Sequence, residues 1–252
     1  MPGHDVVSTS SRTPFLRAEW RDLAMLNFEV ESSALLAYVP AGTELDSWNG
    51  RTYLSVVGFQ FVNTRVLGLA IPFHRNFEEV NLRLYVRRRA AAGWRRAVVF
   101  IKEIVPRAAI AFTARALYNE NYVALPMSHR LEGSDQDPAR VTVSYQWTFG
   151  GRDHYIELTA DGNWRDMQPG SAEEFIAEHY WGYSAQPDGT TVEYQVEHPP
   201  WRVRTASKAR LHCDVARLYG DPFVTLLPET PASAFLAEGS EVVVHRGTPL
   251  GR

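Results

Sequence analysis

Alternation of apolar and polar residues with a period of two dominates this chain, and it limits the available folds more than any other feature. The pattern is clearest at residues 80–86, where Leu82, Leu84 and Val86 share one predicted strand face. Glycines at residues 150–151 predict the turn of a hairpin. Further strands are predicted at residues 52–62, 97–105, Val141–Phe149, 155–159, Thr191–Glu197 and 241–245.

Helical signals are fewer and shorter. Residues 32–39 begin with a serine and stop before a proline, and residues 171–180 begin with a capping box. Residues 106–119 begin with a proline and are rich in alanine, whereas residues 201–218 fit either a strand or a helix. The prediction is a mixed α+β chain that is mainly β. A barrel or curled sheet with covering helices suits it better than a regular βαβ repeat.

The patterned region is flanked by two weakly patterned ends. Residues 1–13 are predicted to be a disordered arm, residues 14–245 a single domain and residues 246–252 a loose tail. No apolar run approaches the roughly 18 residues of a membrane span, and the polar N-terminus does not resemble a signal peptide. We therefore expect a cytoplasmic protein with no membrane partner. The formal net charge of −3 also argues against a nucleic-acid partner.

Lysine is rare in this chain: Lys102 and Lys208 are its only lysines among 26 basic residues. Strand alternation predicts that Lys102 shares a face with Val98, Phe100 and Ile104. A buried lysine has a lowered pKa, and its neutral amine can form a Schiff base, which arginine cannot do. The alternative is a structural lysine that reaches solvent or pairs with a carboxylate.

The preceding strand carries four polar side chains on one face, namely Glu79, Asn81, Arg83 and Tyr85. These four side chains either face a cavity or form an ordinary solvated surface. Other sequence features are weaker. The single cysteine, Cys213, fits a packed side chain better than a nucleophile, and no histidine spacing indicates a metal site.

Several separated motifs resemble the YqjF-like family of uncharacterised bacterial proteins over roughly residues 14–245. The motifs are Glu-Trp-Arg-Asp at 19–22, Ala-Leu-Leu at 34–36, Val-Pro at 39–40, Glu-Leu-Asp at 44–46, Phe-Glu-Glu-Val-Asn-Leu-Arg at 77–83, the strand around Lys102, Leu-Tyr-Asn-Glu at 117–120 and Glu-His-Pro-Pro-Trp at 197–201. This family is similar to the acetoacetate decarboxylase-like superfamily. The resemblance implies a closed β-barrel with a central cavity and a few outer helices.

The resemblance also implies site residues. It puts Arg21, Glu79 and Lys102 at catalytic positions, with Lys102 at or next to the lysine that forms a Schiff base in the decarboxylases. Ligand-binding roles are assigned to the remaining polar candidates on the two strands, Asn81, Arg83, Tyr85 and Glu103. The decarboxylases have two adjacent lysines, whereas Glu103 follows Lys102 here. No cofactor and no metal are expected.

Three functional hypotheses follow. The first is a Schiff-base lyase, of the β-keto acid decarboxylase or aldol-dehydratase type, that acts through Lys102 on a small carbonyl or carboxylate compound. The second is a non-catalytic module that binds or senses such a ligand on the same barrel. The third is a scaffold that contacts a partner through the arginine-rich turn at residues 87–96, where Trp94 is a candidate contact residue. The sequence leaves open whether the chain forms a homo-oligomer.

Overall fold

A computed structural model describes residues 14–107, 121–133 and 139–250, and most of these residues belong to one mixed β-sheet. The strands are β1 (Pro14–Val30), β2 (Glu44–Leu45), β3 (Thr52–Val66), β4 (Phe77–Ala90), β5 (Gly93–Val105), β6 (Tyr122–Ala124), β7 (Met127–Gly133), β8 (Val141–Phe149), β9 (Arg152–Asp166), β10 (Trp181–Ala185), β11 (Thr191–Glu197), β12 (Arg202–His212), β13 (Ser233–His245) and β14 (Thr248–Pro249). The helices are α1 (Ser32–Leu35), α2 (Ala172–Ala177) and α3 (Val215–Tyr219), with 3-10 turns at Leu36–Tyr38 and Asp221–Phe223.

Strand pairing closes part of this sheet on itself. Among the described residues, the order runs β11-β10-β5-β4-β3-β1-β13, and β11 also pairs with β13. These strands therefore form a ring. Strands β12, β9, β8 and β7 continue the sheet beyond β13. Most neighbours are antiparallel, while β10 and β6 run parallel to β5.

The two faces of the ring strands pack into two apolar clusters. One cluster contains Leu26 and Leu82, and it packs against the extension of the sheet and against Leu218 of α3. The other cluster lies on the inner side of the ring and includes Phe59 and Phe175 of α2. Such burial on both faces explains why the ring strands are apolar over long stretches.

All seven predicted strands are present, five of them with longer bounds, and the predicted capping residues of α2 are hydrogen-bonded. The Ser171 hydroxyl accepts a hydrogen bond from the Glu174 amide at 3.1 Å, and the Glu174 carboxylate accepts one from the Gly170 amide. The segment 201–218 contains both a strand, β12, and a helix, α3. The predicted disordered arm and most of the predicted helix 106–119 lie outside the described residues.

The prediction of a loose tail at residues 246–252 differs from the structure. Thr248 and Pro249 pair with β11 as strand β14, and the Leu250 amide donates to the Thr191 carbonyl at 2.8 Å. Leu250 also packs against the larger apolar cluster. The two glycines and the proline of this segment concealed a short edge strand, because two paired residues are too few to produce periodicity.

Candidate functional site

A β-bulge in β5 determines which of its side chains face the interior of the ring. Asn81 lies opposite Glu103, but Arg83 lies opposite Phe100. Ile101 is therefore an extra residue in β5, and side-chain alternation restarts after it. As a consequence, Phe100 and Glu103 both line the interior cavity although they are three positions apart.

The bulge places Lys102 on the outer face, so the prediction that Lys102 shares a face with Val98 and Phe100 is wrong. Its Nζ donates a hydrogen bond to the backbone carbonyl of Leu218 and lies 6.0 Å from the ring centroid of Tyr219, both in α3. Burial lowers the pKa of the Lys102 amine. The direction of this shift is the expected one, but the amine lies against a helix carbonyl and does not line the cavity.

Arg21 also lies away from the cavity. Its guanidinium forms an ion pair with Glu19 at 2.6 Å, and its side chain is 39% exposed. Its neighbour Trp20 lines the cavity, so strand alternation turns Arg21 outward. A second irregularity follows in β1, where Asp22 adopts a φ of 55° and the pairing with β3 skips a residue. Trp20 and Leu23 face the cavity instead, again three positions apart.

The interior cavity has a volume of about 220 Å³, and all seven strands of the ring contribute side chains to it. Much of its wall is aromatic. The Trp20 ring meets Phe59 edge-on with centroids 5.3 Å apart, and Phe61 stacks on Phe77 at 4.6 Å. This wall offers dispersion contacts to an apolar or aromatic part of a ligand.

Polar side chains from β4 and β5 line the other end of the cavity, and Glu79, Asn81, Arg83 and Glu103 are all predicted site residues. Each of these four side chains is at most 8% exposed. Tyr85, the remaining predicted residue on this face of β4, is 1% exposed, and its hydroxyl accepts a hydrogen bond from Arg83. Of the two alternatives for the β4 face, the structure agrees with the one in which it points into a cavity and not with a solvated surface.

Glu79 holds two neighbours in place. Its carboxylate accepts a hydrogen bond from the Asn81 amide at 3.0 Å and one from the Tyr122 hydroxyl at 3.4 Å. With its amide nitrogen engaged in this way, Asn81 keeps its Oδ1 atom available. No described residue donates to this buried oxygen, so it can accept a hydrogen bond from a ligand.

Arg83 is a buried cation without an anionic partner in the described part of the chain. Its Nε donates to the Tyr85 hydroxyl at 3.3 Å and its Nη2 donates to the Ile176 carbonyl at 3.1 Å. The Tyr85 hydroxyl in turn donates to Ser55 at 2.6 Å, which fixes the phenol. No described carboxylate lies within 4.0 Å of the guanidinium. A buried charge is normally paired, so this guanidinium is suited to a negatively polarised ligand oxygen.

His179 completes the polar end, and the sequence did not identify it. It follows α2, is 6% exposed and lines the cavity. Burial, together with the nearby Arg96 and Arg83, lowers the pKa of His179 well below its usual value, so the imidazole is neutral. Neither ring nitrogen has a hydrogen-bond partner among the described residues. Tyr122 was likewise missed, because β6 is only three residues long.

The remaining candidates lie outside this cavity. Trp94 is 45% exposed at the arginine-rich turn, and the guanidinium of Arg87 covers its ring at 4.4 Å. Cys213 packs at the edge of the larger apolar cluster, as expected of a packed side chain.

In the described ranges, no three His, Cys, Asp or Glu side chains are grouped as metal ligands would be. No described helix is both long and apolar enough to cross a membrane.

Comparison with known sequences matches the chain to a family and to a bacterial relative. The profile of the DUF2071 family, described as an uncharacterized conserved protein, matches residues 17–241. A segment of 79 residues is 38% identical to the uncharacterized protein YqjF of Bacillus subtilis (strain 168). That segment covers 31% of this chain and 33% of the relative, so the match extends over about a third of the relative's length.

Comparison with solved structures identifies enzymes that share the fold. The enduracididine biosynthesis enzyme MppR, complexed with pyruvate, gives a TM-score of 0.67 at 14% identity, covering 100% of this chain and 96% of that chain. Acetoacetate decarboxylase from Legionella pneumophila gives 0.65 at 13% identity, covering 100% and 92%. An acetoacetate decarboxylase-like enzyme from Sphingomonas wittichii RW1 gives 0.61 at 12% identity, covering 99% of each. The chain therefore has the acetoacetate decarboxylase-like fold, and the predicted mixed, mainly β class is confirmed.

Proposed function

The chain belongs to the DUF2071 family, which is YqjF-like and lies in the acetoacetate decarboxylase-like superfamily, and we propose that it binds a small carbonyl or carboxylate compound in its interior cavity. The observation that carries the proposal is Arg83, a buried guanidinium that lines the cavity without a carboxylate partner among the described residues. The guanidinium donates to the carbonyl or carboxylate oxygen of the ligand.

The other groups at the polar end add direction to this contact. The Oδ1 atom of Asn81 accepts a hydrogen bond from a hydroxyl or amide group on the ligand, and the neutral ring of His179 donates or accepts beside it. The aromatic wall formed by Trp20, Phe59 and Phe61 contacts the apolar remainder of the ligand. A cavity with a mainly apolar wall and a few convergent polar groups is typical of a small-molecule site.

The structural neighbours are consistent with this class of ligand. One of them is MppR in complex with pyruvate. Another is MppR in complex with the condensation product of pyruvate and imidazole 4-carboxaldehyde. Both compounds carry the oxygen groups that Arg83 is suited to bind. The likeness supports the ligand class through a shared fold.

The orientation of Lys102 favours a binding module over a Schiff-base lyase. Imine formation requires the lysine nitrogen to reach the ligand carbonyl, but the amine of Lys102 donates to Leu218 on the outer face of β5. The interior position next to it carries a carboxylate, Glu103, which cannot form an imine. We therefore propose ligand binding or sensing as the function and do not retain Lys102 as a nucleophile.

The test is a titration of the purified chain with pyruvate, with straight-chain monocarboxylates of increasing length and with the matching methyl ketones, followed by calorimetry. Replacing Arg83 with Met should weaken binding by about 10- to 100-fold, because a hydrogen bond to a charged group contributes about 1.5–3 kcal/mol. The matched control is Arg89→Met, which removes an exposed arginine of the same strand and should leave affinity unchanged.

A second variant protects the test against misfolding of the first. Val98 lies opposite Tyr85 and lines the cavity, so Val98→Phe fills space beside the guanidinium without removing a charge. We expect it to reduce affinity while a thermal melt remains cooperative. Wild-type binding that survives both Arg83→Met and Val98→Phe would show that the ligand binds elsewhere.

A further inference from the structure

The loop between β3 and β4 exposes an unusual amount of apolar surface at the edge of the cavity. Four of its side chains are large, apolar and exposed: Leu67 at 66%, Leu69 at 72%, Ile71 at 44% and Phe73 at 85%. Residues 66–73 contain no charged and no hydrogen-bonding side chain. Clustered exposure of this kind marks a contact surface for another molecule or for a lipid phase.

The backbone of this loop holds the apolar side chains outward. Val66 and Leu69 exchange two backbone hydrogen bonds at 2.9 and 3.0 Å, and the Leu67 amide donates to the Phe15 carbonyl of β1 at 2.8 Å. Leu67 and Phe73 adopt positive φ values of 50° and 63°, which are costly for side chains of this size. The exposed conformation is therefore fixed by a local backbone bridge and by one hydrogen bond to β1.

Three exposed arginines surround the apolar tip. Arg17 and Arg65 lie directly opposite each other across β1 and β3, an arrangement that is unfavourable for like charges unless an anion lies nearby. Neither has an ion-pair partner within the described ranges. Arg75, on the other side of the loop, donates to the Asn63 side chain. Residues 62–77 contain no aspartate and no glutamate. The carboxylate of Glu19, which accepts a hydrogen bond from Asn63, is paired with Arg21, so Arg17, Arg65 and Arg75 leave the collar around the tip with an excess of positive charge.

We propose that this loop docks on the surface of an anionic lipid bilayer. The side chains of Leu67, Leu69 and Phe73 enter the interface between headgroups and acyl chains, and the arginine collar contacts the lipid phosphates. Docking of this kind departs from the expectation that the protein has no membrane partner, although it requires no spanning segment. A second copy of the chain fits the surface less well, because a symmetric contact would bring two basic collars together.

The position of the loop assigns a ligand class, an inference that rests on the proposed binding function. Ile71 and His74 belong to the loop and also line the cavity, whose other end holds the buried Arg83. A docked loop therefore places the apolar side of the cavity at the membrane and its cationic end away from it. The matching ligand is an amphiphilic carboxylate from the bilayer, such as a free fatty acid. Its carboxylate reaches the cationic end of the cavity, and its tail stays on the apolar side near the membrane.

The experiment is co-sedimentation of the whole chain with vesicles of phosphatidylcholine, with and without about one third phosphatidylglycerol. We expect binding to the anionic vesicles that weakens as salt is added. The double variant Leu69→Ser/Phe73→Ser should lower the partition coefficient by about tenfold or more, since it removes the inserted side chains. The matched control, Leu131→Ser/Val224→Ser, removes apolar side chains that are 49% and 48% exposed elsewhere, and it should bind as the wild type does.

Two further measurements test the arginine collar and the apolar tip of the loop separately. The double variant Arg17→Gln/Arg65→Gln should abolish the preference for anionic vesicles, whereas Arg89→Gln/Arg152→Gln should not. Tryptophan introduced by Phe73→Trp should shift its emission to the blue on addition of anionic vesicles. Vesicle binding that is absent, or that is unchanged in the Leu69→Ser/Phe73→Ser variant, would overturn the proposal.

Two other results would each overturn one proposal, either membrane docking or ligand binding in the cavity. A wild-type dimer that the Leu69→Ser/Phe73→Ser variant converts to a monomer, without vesicle binding, would assign the loop to self-association and overturn the docking proposal. Calorimetry of fatty acid binding in the absence of vesicles tests the cavity separately. Vesicle binding without binding of any carboxylate or methyl ketone would leave docking intact and overturn the proposed function.

Discussion

Lys102 donates a hydrogen bond to the backbone carbonyl of Leu218, so the only lysine in the strands that form the cavity is engaged on the outer face of β5. One extra residue, Ile101, is responsible for this arrangement, because it reverses the faces of all residues that follow. The resemblance to the decarboxylases suggests imine formation by the Lys102 nitrogen, but this nitrogen does not line the interior cavity.

The first prediction concerns removal of this amine. In Lys102→Met, the aliphatic stem is kept and the hydrogen bond to Leu218 is lost, so the free energy of unfolding should fall by about 1 kcal/mol. Affinity for the cavity ligand should stay within about twofold of the wild type, because no group that lines the cavity changes. Urea denaturation and calorimetry measure the two quantities.

Chemical trapping tests directly whether Lys102 forms an imine. Borohydride reduction in the presence of pyruvate or longer keto acids should leave Lys102 unmodified in the wild type. A reduced adduct on Lys102, identified by peptide mass, would contradict the orientation of the strand and restore the lyase hypothesis.

The second prediction moves a lysine to the inner face. Glu103 lines the cavity and is 2% exposed, so an amine introduced by Glu103→Lys would be buried and its pKa lowered. The neutral amine should condense with the keto group of pyruvate, with loss of water, and borohydride should reduce the resulting imine to a secondary amine. We expect an adduct at position 103 in Glu103→Lys and in Glu103→Lys/Lys102→Arg. The variant Glu103→Gln, which carries no amine there, is the control, and a folded Glu103→Lys variant without an adduct would contradict the assigned faces.

Strand alternation predicted which side chains share a face where the strand is regular, as in β4, and failed where β5 bulges. Glu79, Asn81 and Arg83 lie on an unbroken stretch of β4, and simple alternation puts them on one face, as the structure does. Lys102 adjoins the bulge of β5, and one inserted residue moves its side chain to the opposite face. Arg21 was placed in the site by the family resemblance alone, and it lies outside the cavity because its neighbour Trp20 faces inward.

No local signal announced either bulge. Asp22 and Ile101 are not glycines, and bulge positions depend on tertiary pairing with the neighbouring strand. The same irregularities concealed β1 as a whole, although it is the longest strand and pairs with both β3 and β13. His179 and Tyr122 reach the cavity only through long-range packing, which periodicity within one segment does not report.

The third prediction concerns the single cysteine. Burial raises the pKa of the Cys213 thiol to about 12, and only the thiolate reacts readily with alkylating agents. Iodoacetamide at about pH 8 should therefore modify the folded chain at least about tenfold more slowly than the urea-unfolded chain. Mass spectrometry over time measures both rates. Equal rates in the two states would indicate that the thiol is accessible in the folded protein.

The fourth prediction concerns stability at acidic pH. Burial, with repulsion from Arg96 and Arg83, lowers the pKa of His179 well below its usual value, and burial lowers that of His198 to about 4. Below about pH 6.5 the unfolded chain therefore gains protons that the folded chain does not, so each of these two histidines reduces the free energy of unfolding by about 1 kcal/mol per pH unit.

Replacement of His179 isolates its share of this effect. His179→Gln removes one of the two titrations, so its unfolding free energy should fall less steeply than that of the wild type between about pH 6.5 and pH 5. His212→Gln, which replaces an exposed histidine, should keep the wild-type slope. Urea denaturation across this pH range measures the slopes. If His179→Gln and the wild type lose stability in parallel, the ring at the polar end of the cavity is not held neutral, and its proposed role as a neutral hydrogen-bonding group would have to be abandoned.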